Sequence, residues 1–300
     1  MSDEIELKLA LAPEGPAHLI DHPLLQTMAS RTVSLGNQYY DTAEGILQSR
    51  RVALRVRRQD DRRLQTLKSA AESQGGLSSR GEWEWSIDSA ACNAAGLDLG
   101  GLRELDHPAL SGLDLETLRP VFTTDFERRL WRYQIEGSDI EIALDQGTIH
   151  VGDASLPICE LELELKHGLP EQLWALAQRL CEPSTSGAPP LPARPANHSK
   201  ASRAGCLGSG WTAPIVIETA SVDALIDAID NWQDSQAPAW LATARDRCDR
   251  LVQQWNARRI APHREHDERI EAAERILADL GRGVVPWRGQ DWLALRHDAA

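Results

Sequence analysis

The chain has 300 residues, with 32 Lys and Arg against 45 Asp and Glu, for a formal net charge of −13. That balance excludes broad association with nucleic acid or acidic membranes through bulk charge, while the length allows one large or two modest domains with a sizeable core. No basic-plus-apolar leader opens the sequence and no apolar run is long enough to span a bilayer, so a cytoplasmic location is the default expectation.

The first element, Glu4-Ile5-Glu6-Leu7-Lys8-Leu9, alternates charged and apolar side chains with a period of two. A strand places Glu4, Glu6 and Lys8 on one face and Ile5, Leu7 and Leu9 on the other. Further along, Leu54-Arg55-Val56-Arg57 sets two guanidiniums on one face, and Thr66-Leu67-Lys68 pairs a hydroxyl with an ammonium. Residues Ser73 to Ser79 read as a flexible connection between two strands, either a plain mobile turn or a hairpin that moves over a mouth. Arg80, Glu82 and Glu84 then share a parity, opposite Trp83 and Trp85. In a regular strand Arg128 and Arg129 face opposite ways, and Arg128 is assigned inward. Glu160-Leu161-Glu162-Leu163-Glu164-Leu165 repeats the opening pattern with three carboxylates. A helix is expected near Pro170 to Leu180, and an irregular Pro- and Ser-rich run from Cys181 to Asn197 leads on to Lys200.

From about Trp211 the composition shifts. Capped or amphipathic helices are expected from Ser221, over Pro238 to Gln254, and over His266 to Leu280. This part holds no lysine but six tryptophans, Trp211, Trp232, Trp240, Trp255, Trp287 and Trp292, which read as core and docking anchors. His263 and His266 read as a solvated helix face, and the five scattered cysteines as small buried residues rather than ligands or a disulfide framework.

The charged rows are largely sorted by sign. Acids come mainly from the first and last strands and bases from the middle ones, with Glu82 and Glu84 the exception. A sheet rolled into a barrel brings these groups into one lumen. Such a lumen is costly to build unless something occupies it. Carboxylates take hard divalent cations, and Arg and Lys neutralise phosphate oxygens, so the pattern suits a metal-bound polyphosphate. Lysine usage points the same way: three of only four lysines, Lys8, Lys68, Lys166 and Lys200, fall in charged motifs.

These residues resemble the CYTH superfamily, the triphosphate tunnel metalloenzymes. The likeness starts at Glu4-x-Glu6-x-Lys8 and passes in order through Tyr39-Tyr40-Asp41-Thr42, Leu54 to Arg57, Thr66 to Lys68, Arg80 to Glu84 and Phe126 to Arg129. It continues through Ala143-Leu144-Asp145, the Glu160 to Glu164 row and His198 to Arg203. What the resemblance implies is an α+β fold: an eight-stranded antiparallel closed β tunnel with flanking helices, over residues 1–208, plus a C-terminal α-helical domain over 213–300. It also implies Mg2+ or Mn2+ as cofactor. Carried over residue by residue, Glu4, Glu6 and Lys8 resemble the catalytic set. Lys8, Arg55, Arg57, Lys68, Arg80, Arg128, Lys200 and Arg203 resemble the substrate-binding bases, and Glu4, Glu6, Asp145, Glu160, Glu162 and Glu164 the metal ligands. Which adjacent pair of Glu160, Glu162 and Glu164 binds metal stays open, as does whether Glu82 and Glu84 position bases or touch metal. The basic-histidine pattern of the helical CHAD module that often follows such tunnels is not evident.

The activity this implies is hydrolysis of inorganic triphosphate. The alternatives are a class IV adenylate cyclase, another triphosphatase acting on thiamine triphosphate, RNA 5′ ends or nucleotides, or a polyphosphate- or nucleotide-binding sensor. The expected partner is inorganic triphosphate or another triphosphate-bearing small molecule.

Overall fold

The computed structural model describes residues 2–60, 62–69, 72–88, 92–183, 187–214, 220–258 and 264–296. His263 and the side chain of His266 lie outside them. Among the described residues, no helix is long and apolar enough to cross a membrane.

Ten strands form one antiparallel sheet: β1 (Ser2–Leu11), β2 (Ser30–Asp41), β3 (Val52–Gln59), β4 (Arg62–Ser69), β5 (Glu72–Gln74), β6 (Leu77–Ser86), β7 (Arg119–Ile135), β8 (Ser138–Val151), β9 (Ala154–His167) and β10 (Ala193–Pro195). Eight of them close into a barrel in the order β1, β9, β8, β7, β2, β3, β4, β6, with β6 returning to β1. The closing edge of β1 is shared. Ser2 to Leu7 pair with β6, whereas Leu9 to Leu11 pair with β10.

The barrel is charged inside and apolar outside, which follows from the period-two pattern of its strands. On β1, β8 and β9 the outward residues Leu7, Leu9, Ile140, Ile142, Leu144, Leu161 and Leu163 are fully or almost fully buried. They are covered by α1 (Gly15–Ile20), α2 (Pro23–Gln26) and α5 (Glu171–Cys181), with Leu19, Leu25, Leu173 and Leu176 packed against them. The outer face of β3 and β4, with Leu54, Val56 and Leu67, is covered in the same way by α3 (Ile46–Ser49), α4 (Leu99–Leu105) and the turns after it. Each apolar face thus gains a partner layer, and the lumen is left to polar groups.

One end of the lumen turns apolar. Leu35, Phe126, Ile149, Leu156 and Ile158 cluster there with Ala204 of α6 (Lys200–Ser209). Gly147 sits in this region, directly opposite Phe126. A Cβ at that position would lie 2.2 Å from the carbonyl oxygen of Asp125 and 2.4 Å from Cβ of Phe126, so close strand approach excludes any larger residue.

The C-terminal helices α7 (Val222–Ser235), α8 (Pro238–Ala257), α9 (Arg264–Gly281) and α10 (Gly289–Leu295) pack around a core of their own, with Trp232, Trp240, Trp255 and Trp292 in it. Ser221 caps α7 by accepting from the amide of Ala224 at 3.1 Å. The expected anchor role of these four rings agrees with that core. No disulfide forms, and Cys181 and Cys248 are the fully buried cysteines. Two connections differ from the sequence reading. The run from Cys181 to Asn197 contributes β10, because backbone groups of Ala193 to Pro195 complete the edge of β1. The Ser73 to Ser79 connection is mostly strand, its turn reduced to Gly75-Gly76, and both amides are held, Gly75 by Asp223 Oδ1 at 2.6 Å and Gly76 by Asn197 Oδ1 at 3.1 Å.

Candidate active site

A cavity of about 970 Å³ fills the charged part of the barrel. Its wall is set by register. Across the β1/β9 seam Glu6 faces Glu164 and Lys8 faces Glu162, and across the β1/β6 seam Glu4 faces Arg80. On the far wall Arg55 faces Tyr39 and Arg57 faces Asn37.

Three charged groupings result. In the first, Glu4 accepts from Lys68 Nζ at 2.8 and 2.9 Å and from Arg80 Nε at 2.8 Å, while Arg80 Nη2 reaches Glu6 at 2.7 Å. Glu82 completes it, 3.2 Å from Lys68 and 3.8 Å from Arg55, and Glu84 accepts from Thr66 at 3.0 Å. Glu82 therefore sits against bases, while the hydrogen bond of Glu84 comes from a hydroxyl. Burial pushes the Glu4 carboxyl up, but Lys68 and Arg80 outweigh it and bring it down to about 2. Lys68 is itself pushed down, by burial and then by Arg80 and Arg55 crowding it, despite Glu4.

That pairing has a pH signature. A carboxylate whose folded pKa is lowered contributes stability that is fully present above its unfolded value and is lost as pH falls through the folded one. For Glu4 the window runs from about 4.5 down to about 2. In Lys68→Met the Glu4 pKa moves back toward its unfolded value, so the window narrows from its lower end and the stability the carboxylate contributes above about 4.5 shrinks. The acid-unfolding midpoint, followed by circular dichroism, is expected to rise, and an unmoved midpoint removes the pair from the account.

In the second grouping, oxygens of Asp145, Glu160 and Glu162 lie within 4.8 Å of one another. The Lys200 ammonium sits at their focus, 2.7 Å from Asp145, 2.5 Å from Glu160 and 3.1 Å from Glu162. Arg128 approaches from the side, forked onto Asp145 through two 2.7 Å bonds and also bonded to Glu162. Burial raises the Glu162 carboxyl, yet Lys200 and Arg128 together hold it well below the usual range. Phe126 forms a floor, its ring 4.9 Å from the Lys200 ammonium. Asp145 and Glu160, at 0% and 4% exposure, stand behind the cavity wall, whereas Glu162 and Glu164 line it. Lys8 links the first two groupings, 3.8 Å from Glu6 and 3.9 Å from Glu162.

The third grouping is the basic wall. Arg57 donates to Asn37 Oδ1 at 2.9 Å and forms no ion pair with a carboxylate among the described residues. Burial, then Arg55 and Arg128, lower its pKa to about 10, although its guanidinium still faces the open cavity. The neighbouring Arg55 has a buried Nε without a hydrogen-bond partner. Arg55 still has Glu82 at 3.8 Å, so the least compensated positive charge of this wall is Arg57.

The other candidates fall outside these groupings. Glu164 sits at the rim, 2.5 Å from Lys166, which also approaches Glu141 at 3.6 Å. Arg129 turns out of the barrel, over the Trp131 ring. Arg203, expected at phosphate, is not brought into the cavity. It lies one turn beyond Lys200 on α6, where Asp234 takes it through two 2.8 Å bonds. Asp41 spends its carboxylate on the amides of Thr42, Leu47 and Gln48. The sequence reading gave no role to Asn37 or Tyr39, although their shared parity with the strand's inward face was a usable signal.

The donor set fits a hard divalent cation. Asp145, Glu160 and Glu162 offer only oxygen, at a spacing one ion can span. The fit is visible in the ammonium already centred among them. A second trio, His198, Asp227 and Asp230, is also compact. Its Asp230, however, is committed to Arg194 and to two backbone amides.

An antiparallel barrel closed by eight strands, its lumen lined with facing acids and bases, defines a charged β tunnel. The CYTH domain model matches residues 2–189, and the chain belongs to that family. It is similar to an inorganic triphosphatase of Haemophilus influenzae, 36% identical over 186 residues, which are 60% of this chain and 50% of the relative. The chain thus spans about half the length of that curated relative. A solved adenylyl-cyclase candidate from Hippeastrum, described as having a dominant triphosphatase activity, overlays with a TM-score of 0.52 at 23% identity, covering 68% of this chain and 96% of the other. That likeness concerns the fold.

Proposed function

We propose that this tunnel hydrolyses inorganic triphosphate to pyrophosphate and phosphate, using Mg2+ or Mn2+. The observation that carries the reading is Arg57, a guanidinium without a carboxylate ion pair among the described residues, which faces a cavity whose opposite side is acidic. A site evolved only for internal ion pairing has no use for that surplus, whereas a polyanion supplies the missing charge. Residues 1–208 are read as the catalytic unit and 213–300 as a helical unit packed beside it.

In this reading water adds to the terminal phosphorus, the bridging P–O bond breaks, and its electron pair leaves on pyrophosphate. Arg55, Arg57, Lys68, Arg80 and Arg128 hold the phosphate oxygens in line, and Lys8 lies where charge builds between Glu6 and Glu162. Glu4 and Glu6 with the Asp145, Glu160 and Glu162 cluster, extended by Glu164, are the groups that would hold metal. A divalent cation bound there supplies charge neutralisation between carboxylates and phosphate, and a lower pKa for bound water. Lys200, bonded to all three carboxylates, is the cation that such a metal would replace there, and its ammonium would then be available to the phosphate chain.

Phosphorus NMR of inorganic triphosphate, ATP and thiamine triphosphate, each with Mg2+, Mn2+ or chelator, tests the substrate. Pyrophosphate and phosphate from inorganic triphosphate, only with metal, are expected. Cyclic AMP from ATP reassigns the tunnel as a cyclase, and binding without turnover makes it a sensor.

A further inference from the structure

Helix α7 carries Asp223, Asp227, Asp230 and Asp234, a spacing that places all four on one face. All four bond to the tunnel part of the chain. Asp223 holds the Gly75 amide of the β5–β6 turn at 2.6 Å, and Asp227 accepts from Asn197 Nδ2 at 3.0 Å. Asp230, 5% exposed, accepts from Arg194 Nη1 at 2.6 Å and from the backbone amides of Asn197 and His198 at 2.9 and 3.1 Å. Asp234 takes Arg203 through two 2.8 Å bonds.

The last two contacts bracket one functional side chain. Asn197 and His198 lie just before Ser199, whose Oγ caps α6 at the Ser202 amide at 3.1 Å, and Lys200 is the first residue of that helix. Arg203 lies one turn beyond. The backbone that carries Lys200 is therefore held from both sides by one helix of the C-terminal core, and its ammonium ends at the focus of three carboxylates. The apolar core of α7 lies within residues 220–295 and fixes the helix to α8, α9 and α10, so α7 itself meets the tunnel through these aspartates, and a buried carboxylate on two successive amides holds the backbone just ahead of that lysine.

We propose that Asp230 and Asp234 are positioning residues for Lys200: α7 fixes the start of α6 so that the lysine reaches the carboxylate cluster and the phosphates beyond it. The inference rests on the triphosphatase reading for its kinetic consequence but not for its geometry. It gives the C-terminal helices a part in the tunnel's chemistry that the sequence reading left unassigned.

The test is a double-mutant cycle between Asp230→Asn and Lys200→Met. Asparagine keeps one acceptor but turns an amide N–H2 toward donors, so the grip loosens. Asp230→Asn is expected to lower kcat/KM for inorganic triphosphate about tenfold in the natural background and less than about twofold when Lys200 is already methionine. Titration of Mn2+ followed by paramagnetic resonance gives a second readout, independent of turnover. Lys200→Met removes a cation that competes for the cluster and tightens Mn2+. Asp230→Asn is expected to shift Mn2+ affinity in the same direction, with no further shift in the double variant. Equal effects in both backgrounds overturn the proposal. Should Asp230→Asn fail to fold by circular dichroism, Asp234→Asn carries the same cycle with the same two outcomes. A natural protein that turns over no triphosphate defeats the functional reading, while the Mn2+ cycle still decides the positioning.

Discussion

Glu162→Gln is expected to lower kcat for inorganic triphosphate by about 10²–10³-fold, on the scale of losing one preorganised electrostatic group from a charged active site. Glu162 is the carboxylate on which the site converges. It bonds to Arg128, lies 3.1 Å from Lys200 and 3.9 Å from Lys8, and faces the cavity while Asp145 and Glu160 stand behind it. Glutamine keeps the shape and one acceptor oxygen but removes a hard, charged metal donor. The fold is expected to survive, since Asp145 and Glu160 still compensate Lys200, and Arg128 keeps its fork on Asp145. Circular dichroism and a thermal melt check that separately from the rate. Turnover within twofold of the natural protein takes Glu162 out of the reaction.

Arg57→Met is expected to weaken inorganic triphosphate by about 1.5–3 kcal/mol, the scale of a charge-assisted hydrogen bond, or roughly 10–150-fold in Kd. The sign of its effect on stability is the more diagnostic part. Among the groups inside the barrel this guanidinium has a neutral partner, Asn37, and other positive charges nearby, which bring its pKa down to about 10. Removing a charge that the empty tunnel does not balance leaves the melting temperature unchanged or higher. A residue present for structure gives the opposite, a lower Tm with little change in Kd. Calorimetric titration and a thermal melt of the same preparation separate the two.

Much of the tunnel was legible because a strand exposes alternate residues to one side and a closed barrel offers only one inside. The parity of Glu4, Glu6 and Lys8 put them in the lumen, and parity alone separated Arg128, bonded to Asp145, from Arg129 over Trp131. Helices α5, α8 and α9 lie within a few residues of their expected spans, since each carries a clear apolar stripe. What escaped the sequence depends on partners remote in the chain. Arg203 shares a motif with Lys200, but Asp234, 31 residues further on, captures it. Pinning of the Gly75-Gly76 turn likewise needs Asp223 and Asn197, which no local pattern connects to it. The depth at which Asp145 and Glu160 stop short of the cavity is set by Lys200 reaching in from a helix outside the barrel. Parity predicts a face but not what fills the space in front of it.

The central claim is that facing acids and bases in this tunnel serve a metal-bound triphosphate. Phosphate release from inorganic triphosphate, measured on the full chain with Mg2+ and then with excess chelator, tests it most directly. Turnover in Mg2+ that chelator abolishes and added metal restores is the predicted result. An equal rate with chelator, or none with Mg2+ or Mn2+ in protein whose fold is intact, contradicts it.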